Sequence, residues 1–371
     1  MRTFTEEERY SLCLFHALGS NAVAYRKLTM FFGSAKGVYD ALNDGALDGM
    51  VSQQANERLC RFAAEEEREK LVHSLEKGTF GILFEHDASY PELLHDIQDA
   101  PPLLFYRGNL HKECSFPIGI VGSRRCTQYG KEIAERFSAE LCERGATVIS
   151  GLADGIDSVA AHGALAAQKE HLPTVGVLGC GIDIVYPAAN RYMYDAVEKD
   201  GLIVSEYFPG IRPMPGYFPA RNRIISGMSK GLLVVEAAER SGTSITAGLA
   251  LEQGRDVFAI PGRITDPASA GTNRMIRDGE AKPVLCVDDI LSEYSYERLG
   301  AVAPAFDPGT LSEEQRKVYD ILLNGEKSFE ELAVLSGYSI PLLNSVLTEM
   351  LFLGIMKQLP GRIYIVDLAN I

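Results

Sequence analysis

The chain has 371 residues, of which 46% are hydrophobic, and a formal net charge of −14 at pH 7. A chain of this length holds two or three domains, and its apolar content is enough for a buried core, which excludes wholesale disorder. The acidic balance excludes a protein that coats nucleic acid through a general positive charge, although a local basic site is still compatible with it.

The amino terminus and the cysteines indicate the cellular compartment of the protein. Residues 1–10, MRTFTEEERY, are acidic and lack an apolar stretch, so no signal peptide is expected, and no run of about 18 apolar residues predicts a membrane span. The seven cysteines are widely spread without a Cys-x-x-Cys pair, which predicts neither a disulfide framework nor a zinc site and is typical of a reducing compartment. We therefore expect a cytoplasmic protein that holds no metal ion and no cofactor.

The first part of the chain is predicted to be a helical domain, residues 1–76. Apolar residues recur there at helical spacing and are interrupted by Gly-Ser pairs. The predicted helices are Glu6–Leu18, Ala22–Phe32, Ala35–Asn43 and Gln53–Leu75. The last of them carries the charge run Glu65–Lys70, which is typical of a solvated face.

Residues 77–297 are predicted to form an α/β core. Short apolar runs alternate there with helical stretches, and near-continuous apolar strands are typical of a buried parallel sheet. The predicted strands are Phe80–Phe84, Leu103–Tyr106, Ile118–Val121, Thr147–Ile149, Thr174–Leu178, Leu202–Val204, Leu232–Val235, Val257–Ile260 and Pro283–Val287, and the predicted helices are Thr127–Arg144, Asp157–Ala167, Arg191–Lys199, Arg221–Met228 and Thr243–Gln253. This pattern predicts a doubly wound fold whose ligand lies beyond the carboxyl ends of the strands.

The end of the chain is predicted to be a separate small domain. Residues 298–309 are rich in Ala, Pro and Gly and indicate a linker. Residues 310–371 then follow a winged-helix pattern, with predicted helices Ser312–Leu323, Ser328–Ser336 and Ile340–Leu353 and a hairpin of Ile355–Leu359 and Arg362–Val366. Ser312 and Gln315 form a predicted capping box before the first helix.

Glycines follow several of the predicted strands of the core. Gly122 comes after one strand, Gly151 after the next, and Gly242 before a later helix, with Ser123 and Thr243 beside them. Glycine at a strand-to-helix turn lets a phosphate approach backbone N–H groups at a helix N-terminus. One such turn is a weak signal, but several in one sheet predict a shared anion-binding crevice.

Two windows of the core contain basic residues and no acidic one. Residues 117–131 include Arg124, and residues 207–230 include Arg221, Arg223 and Lys230. Guanidinium groups near aromatic rings such as that of Phe218 are typical of single-stranded nucleic-acid binding. The alternative for each aromatic residue is that it packs in the core instead of contacting bases.

The enzyme hypotheses fit the residues less well. A nicotinamide oxidoreductase should show G-x-G-x-x-G after the first strand and an acidic residue after the second, and this chain has neither. Asp157 and His162 have the residue types of a base and its partner, but no nucleophile elbow accompanies them, so a capping role is favoured. Metal ligation by Asp154, Asp157 and His162 lacks a second ligand cluster. We therefore predict no catalytic residue.

At this point the motifs resemble a known family. The resemblance rests on collinear motifs over roughly residues 117–287: Gly122-Ser123-Arg124, Ser150–His162, Gly179–Pro187, Ser205-Glu206, Phe218–Gly227, Glu236, Ser241-Gly242-Thr243, Pro261-Gly262 and Gly271–Asn273. Together they resemble the DprA (Smf) DNA-processing family. The helical first domain (SAM/HhH-like) and the winged-helix tail resemble the accessory domains of that family through weaker motifs.

The resemblance implies a fold, a function and a site. The implied fold is an extended Rossmann-like, doubly wound, mostly parallel sheet that dimerises. The implied function is non-enzymatic: binding of incoming single-stranded DNA in natural transformation (competence) and loading of the RecA recombinase for recombination. Carried over onto this sequence, the DNA-binding residues are Gly122, Ser123, Arg124, Gly151, Phe218, Arg221, Asn222, Arg223, Gly242 and Thr243, with Lys230 as a weaker rim contact.

Two expectations qualify this reading. The tail, residues 301–371, has 5 basic and 9 acidic residues, and its helix Ile340–Leu353 has no Lys or Arg, so a protein-interaction role is predicted rather than groove reading. The alternative function is a nucleotide-binding carrier or a phosphoribohydrolase of the lysine-decarboxylase-like group. Those enzymes carry a catalytic Glu shortly after the Gly-Thr helix start, whereas Ser244, Ile245 and Thr246 follow it here.

Overall fold

The computed structural model describes residues 3–44, 47, 49–167, 170–239, 241–294, 309, 311–323, 325–353, 355–359 and 361–366. The chain divides into two compact units, residues 1–299 and 300–371. Except for residue 309, the predicted linker 298–309 lies outside the described residues. The division of the first unit at residue 76 into two domains stays a prediction.

Helices α1 to α5 open the first unit, at Glu6–Ala17, Ala22–Phe32, Ala35–Asp40, Gln53–Ala63 and Glu65–Glu76. The prediction of one helix over Gln53–Leu75 is wrong, because Ala64 is extended (ψ 127°) and separates α4 from α5. The charge run explains the break. Nη1 of Arg68 donates to the carbonyl oxygens of Phe62 (2.9 Å) and Ala63 (2.6 Å), which satisfies the last carbonyls of α4. Three glutamates in the first turn of α5 favour a new helix start there.

The amino-terminal helices share a core with the sheet. Leu12 and Phe15 of α1 are fully buried in one cluster with Phe105 and Phe208. The ring centroid of Phe15 lies 6.2 Å from that of Phe208, which follows the sixth strand of the sheet. These helices are therefore packed on the α/β core rather than attached by a free linker.

Nine strands form the main sheet: β1 Gly81–Phe84, β2 Leu103–Gly108, β3 Pro117–Val121, β4 Thr147–Ser150, β5 Thr174–Val177, β6 Leu202–Ser205, β7 Gly231–Val234, β8 Asp256–Ala259 and β9 Lys282–Pro283. Their order is β1-β2-β6-β5-β4-β3-β7-β8-β9, and β3 to β9 are parallel. The pairs β1–β2 and β2–β6 at one edge are antiparallel, so β2 runs opposite to its neighbours in the described sheet. Each of β3 to β7 is buried along its whole length, as the continuous apolar runs predict.

Helices of the first unit connect the strands as crossovers or follow them: α6 Gln128–Glu143, α7 Ile156–Ala166, α8 Arg191–Asp200, α9 Tyr217–Gly227, α10 Gly242–Glu252, α11 Ala270–Arg277 and α12 Asp288–Leu291. Most bounds agree with the predicted ones within one residue, but α9 begins four residues earlier than predicted. No helix in the described part of the chain is long and apolar enough to cross a membrane. The predicted doubly wound, Rossmann-like α/β fold is confirmed.

The chain reverses its direction across the sheet at β3. From β3 the chain continues to β4 on one side, and it later returns to β7 on the other side, so that Ile118 of β3 pairs with both Val148 and Gly231. Such a switch point leaves a crevice outside the carboxyl ends of the strands. The loops after β3, β4, β5 and β7 meet there.

The second unit consists of α13 Glu313–Leu322, α14 Phe329–Ser336 and α15 Ile340–Phe352 with β10 Lys327–Ser328, β11 Met356–Leu359 and β12 Ile363–Val366. The three strands form an antiparallel sheet in the order β10-β12-β11. The predicted capping box is confirmed, since Gln315 N donates to Ser312 Oγ (3.2 Å) and Ser312 N donates to Gln315 Oε1 (3.1 Å). The short strand β10 was not predicted, and the winged-helix assignment stays a prediction.

Candidate functional site

The crevice at the switch point brings most of the sequence-predicted site residues together. It has a volume of about 460 Å³, within the usual range of ligand pockets. Among the predicted residues, Gly122, Ser123, Arg124, Phe218, Arg221, Asn222, Gly242 and Thr243 line it. Gly151 lines a smaller cavity that shares Arg124, Phe218 and Arg221 with the crevice.

The mouth of the crevice combines a free cation with aromatic rings. Arg124 is exposed, and its Cζ atom lies 5.4 Å from the ring centroid of Phe218. The ring of Tyr186 lies 5.4 Å from the same ring at an interplanar angle of 31°. A guanidinium over an aromatic face is held by cation–π attraction while its N–H groups stay available to an anion. This edge of the crevice therefore offers both a phosphate ligand and a stacking surface.

Arg221 is at the floor of the crevice and is only 3% exposed. Its Nη1 donates to the carbonyl oxygen of Gly151 at 2.9 Å and to that of Val177, while its Nε donates to Asn222 Oδ1 at 3.3 Å. These bonds connect α9 to the ends of β4 and β5. Arg221 therefore joins two neighbouring strands beneath the crevice as well as lining it.

Asp157, in the first turn of α7, is buried beside Arg221 and also lines the crevice. Its Oδ2 accepts a hydrogen bond from Gly151 N at 3.1 Å, so it stabilises the turn after β4, whereas no side chain caps the N-terminus of α7. Burial raises the pKa of this carboxyl to about 6, against the opposing effect of the Arg221 charge. The net charge of the crevice therefore changes between pH 5 and pH 7.

Arg223 lies elsewhere. It is 8% exposed, and its Nη2 donates to Glu206 Oε2 at 2.6 Å while its Nε is 3.0 Å from Asp99 Oδ2. Glu206 is 2% exposed, and burial raises its pKa to about 7 although Arg223 opposes the shift. The structure thus places Arg223 in a buried ion-pair network, and it is absent from the residues that line the crevice.

Lys230 lies at the opposite end of the parallel strands from the crevice. It immediately precedes β7, its N–H donates to the carbonyl oxygen of Pro117 at the start of β3, and its Nζ lies 5.5 Å from the ring of Phe116. It is therefore at the amino-terminal edge of the parallel strands, whereas the crevice is at the carboxyl edge. The structure does not bring Lys230 together with the other predicted site residues.

The start of α10 lines the crevice wall opposite the Arg124 loop. Ser241 caps the helix, its Oγ accepting from Ser244 N at 3.3 Å, and Gly242 is exposed while Thr243 is buried. The first N–H groups of a helix carry a partial positive charge, so an anion is stabilised near them. Helix α10 therefore adds a second group of donors to the site.

Sequence reasoning missed Tyr186 as a site residue and treated Asp157 only as a cap. Tyr186 is exposed and packs against Phe218 across the crevice, a contact between residues 32 positions apart. The Tyr-Pro pair was visible in the sequence, but its distance from the Arg-Asn-Arg segment concealed the contact. Asp157 could have been found from its place, two residues after the Gly155 turn and next to a strand end.

Comparison with known proteins identifies the family. The family model for DNA recombination-mediator protein A matches residues 81–295, which include every element of the crevice. The chain is 46% identical to DNA processing protein DprA of Streptococcus pneumoniae over 219 residues, 59% of this chain and 74% of that protein. It is 45% identical to protein Smf of Escherichia coli over 191 residues, 51% of this chain and 50% of that protein.

Solved structures give the same result. The structure of DNA processing protein A from Streptococcus pneumoniae covers 79% of this chain and 99% of its own, with 36% identity and a TM-score of 0.66. DNA processing protein A from Helicobacter pylori, whose structure describes a single-stranded DNA binding mode, covers 60% of this chain and 99% of its own, with 27% identity and a TM-score of 0.52. The chain therefore belongs to the family of DNA recombination-mediator protein A, the family of the proteins named DprA and Smf.

Proposed function

We propose that this protein binds single-stranded DNA in the crevice at the carboxyl ends of β3, β4, β5 and β7. The observation that carries the proposal is the exposed guanidinium of Arg124 over the ring of Phe218, next to Tyr186. Phosphates would be bound by Arg124 and by the N–H groups at the start of α10. Bases would stack on the aromatic rings, which is how sequence-tolerant single-strand binding is usually achieved.

The charge distribution supports single strands over duplex. The protein carries a net charge of −14, whereas residues 117–131 and 207–230 contain basic residues and no acidic one. A duplex presents a denser array of phosphates to the protein surface than a flexible single strand that enters a crevice. We infer that duplex DNA is repelled by the flanks while a single strand reaches Arg124.

The family supports a wider role. We propose that the protein acts as a homodimer in DNA processing during uptake and recombination, and that it passes bound strands to the RecA recombinase. It would do so without catalysing a reaction, as a binding protein. Membership of the family and the DNA-processing names of the relatives support this role.

Arg124→Ala tests the site directly. We expect the variant to bind single-stranded DNA about tenfold more weakly at low salt, since one charge-assisted contact to phosphate is lost. The log–log slope of affinity against salt should become shallower by about 0.7, the value for one phosphate contact on a single strand. Fluorescence anisotropy across a salt series, with single-stranded and duplex DNA, gives both quantities.

The matched control is Lys230→Ala, which removes an exposed cation at the amino-terminal edge of the strands. We expect its affinity and salt slope to equal those of the wild type. If both variants lose affinity alike, the strand extends to that edge as well. If Arg124→Ala binds as the wild type does, the crevice is not the binding site.

Affinity should also depend on pH through Asp157. The pKa of this buried carboxyl is about 6, above its ordinary value of 3.8, so it is ionised at pH 7.5 and protonated at pH 5. Its negative charge disfavours a nearby phosphate, so affinity for single-stranded DNA should rise as the pH falls. We expect about a tenfold rise, the 1.4 kcal/mol between like charges roughly 12 Å apart at an effective dielectric constant of about 20.

Asp157→Asn separates the pH effect of Asp157 from the effects of other titrating groups. The amide can still accept from Gly151 N, whereas it carries no charge at any of these pH values. The exposed His162, which pairs with Glu135, is present in both proteins. The variant should therefore lose most of the pH dependence, and an unchanged pH profile would rule out Asp157 as its source.

A further inference from the structure

Both ends of the loop that carries Arg124 are hydrogen-bonded to one residue, Glu236. This residue follows β7 and is 2% exposed. Its backbone oxygen accepts from Ser123 N at 2.9 Å. Its carboxylate accepts from Thr127 N at 2.9 Å and from the Thr127 hydroxyl. Arg124 thus lies in a segment of three residues between two attachment points on Glu236, just after the neighbouring strand β7.

The carboxylate of Glu236 also occupies the N-terminus of α6. Thr127 is the N-cap of that helix, and its Oγ1 accepts from Gly130 N at 3.0 Å. A helix N-terminus after the first parallel strand of such a fold is where a phosphate is bound in dinucleotide-binding proteins. Here an internal anion satisfies the donors instead.

Because Gly130 has no side chain, the carboxylate of Glu236 can approach the start of α6. A Cβ atom at position 130 would lie 2.4 Å from Cδ of Glu236 and 2.6 Å from its Oε2. Any side chain there would displace the carboxylate from Thr127. Inside a helix alanine is favoured over glycine by roughly 1 kcal/mol, so the buried Gly130 has a specific steric reason.

We propose that Glu236 is a positioning residue that holds the 123–127 loop so that Arg124 faces the crevice, and that its carboxylate replaces a bound anion at the start of α6. The inference rests on the proposed function. Helix α7 has a buried carboxylate in its first turn, that of Asp157, which accepts from Gly151 N in the preceding loop. The first turn of α10, whose Gly242 and Thr243 line the crevice, contains no acidic residue. DNA phosphates are then bound by the N–H groups of α10 and by the side chain of Arg124 rather than by the backbone of α6.

Glu236→Ala and Glu236→Gln test this arrangement on the full chain. We expect Glu236→Ala to bind single-stranded DNA at least tenfold more weakly than the wild type, because the loop loses a charge-assisted attachment. Glu236→Gln, which keeps one acceptor, should lose less. Added formate should restore affinity to Glu236→Ala by filling the vacated carboxylate position, and it should leave the wild type unchanged. Glu132→Ala, which removes an exposed glutamate of the same helix, is the matched control.

Amide hydrogen exchange measures the loop without DNA. Residues 123–131 should exchange faster in Glu236→Ala, and formate should slow them again. Gly130→Ala should reproduce the phenotype by steric displacement, and it serves where Glu236→Ala fails to fold. Loss of affinity that formate does not restore, or exchange and affinity within twofold of the wild type, would overturn the proposal. A wild type that does not bind single-stranded DNA would instead reject the proposed function, while the exchange result would still decide the role of Glu236.

Discussion

Replacing Arg221 by Met should lower the free energy of unfolding of the sheet-containing unit by about 3–5 kcal/mol, the usual effect of breaking a buried charge pair. The variant leaves the carbonyl oxygens of Gly151 and Val177 without a donor and Asp157 without its neighbouring cation. Unpaired buried acceptors and an uncompensated buried carboxylate each cost free energy. Denaturant titration gives the change, with an unchanged m-value showing that the unfolding transition is the same one.

Asp157, which lies beside Arg221, provides an internal control through the pH dependence of the stability loss. Because burial raises the pKa of Asp157 to about 6, the carboxyl is neutral at pH 5 and needs no counter-charge. The loss in Arg221→Met should therefore be smaller at pH 5 than at pH 8, and Asp157→Asn should recover part of it at pH 8. Arg124→Met, the same substitution at an exposed position, should leave stability within about 0.5 kcal/mol of the wild type. A loss of less than 1 kcal/mol in Arg221→Met would mean that the strand ends do not depend on this guanidinium.

Arg223→Met should also be strongly destabilising, by about 3–5 kcal/mol, but without a direct effect on DNA contacts. Its guanidinium lies between Glu206 and Asp99, so removal leaves the carboxylate of Glu206 buried and unpaired. Burial already raises the pKa of Glu206 to about 7. Arg223 lowers this pKa, so in the variant the pKa of Glu206 rises further. Glu206 therefore takes up a proton as the pH falls toward neutral, the unpaired charge disappears, and the destabilisation should shrink.

A double variant separates the structural role from a phosphate contact. Arg223→Met with Glu206→Gln removes both charges, and it should be more stable than Arg223→Met alone, as expected when both members of a buried pair are replaced. In the temperature range where the variants are folded, their affinity for single-stranded DNA should stay within about threefold of the wild type. A variant that keeps wild-type stability but loses affinity would restore Arg223 as a phosphate ligand, the role that the sequence alone predicts.

These two arginines belong to one short segment, and the sequence does not distinguish them. Arg221 and Arg223 both lie in an acid-free window before a strand, so both are predicted to grip phosphate. The structure orients Arg221 toward the ends of β4 and β5 and Arg223 toward Glu206. Apart from Asn222, the partners of these two side chains lie 17 to 124 positions away in the sequence. A local pattern contains no information about such partners.

The break between α4 and α5 is likewise not visible in the local sequence pattern. Apolar spacing across residues 53–75 continues without a Gly or Pro, and it predicts one helix. Arg68 nevertheless satisfies the carbonyls that the interruption at Ala64 releases. Periodicity describes which face is buried, but it does not show where a side chain replaces a backbone donor.

The sequence by itself determined the class of fold and the place of the candidate crevice. Strands that are apolar along their whole length, alternating with helices, require a parallel sheet covered on both faces, and glycines after several strands converge at its carboxyl edge because parallel strands all end on the same side. Only the tertiary structure decided which cations are free. Arg124 stays exposed above Phe218, Arg221 joins two strand ends, Arg223 is neutralised and Lys230 is at the far edge. The physical reason is that the availability of a charge depends on its burial and on its partners, and both are set by long-range contacts rather than by neighbours in the chain.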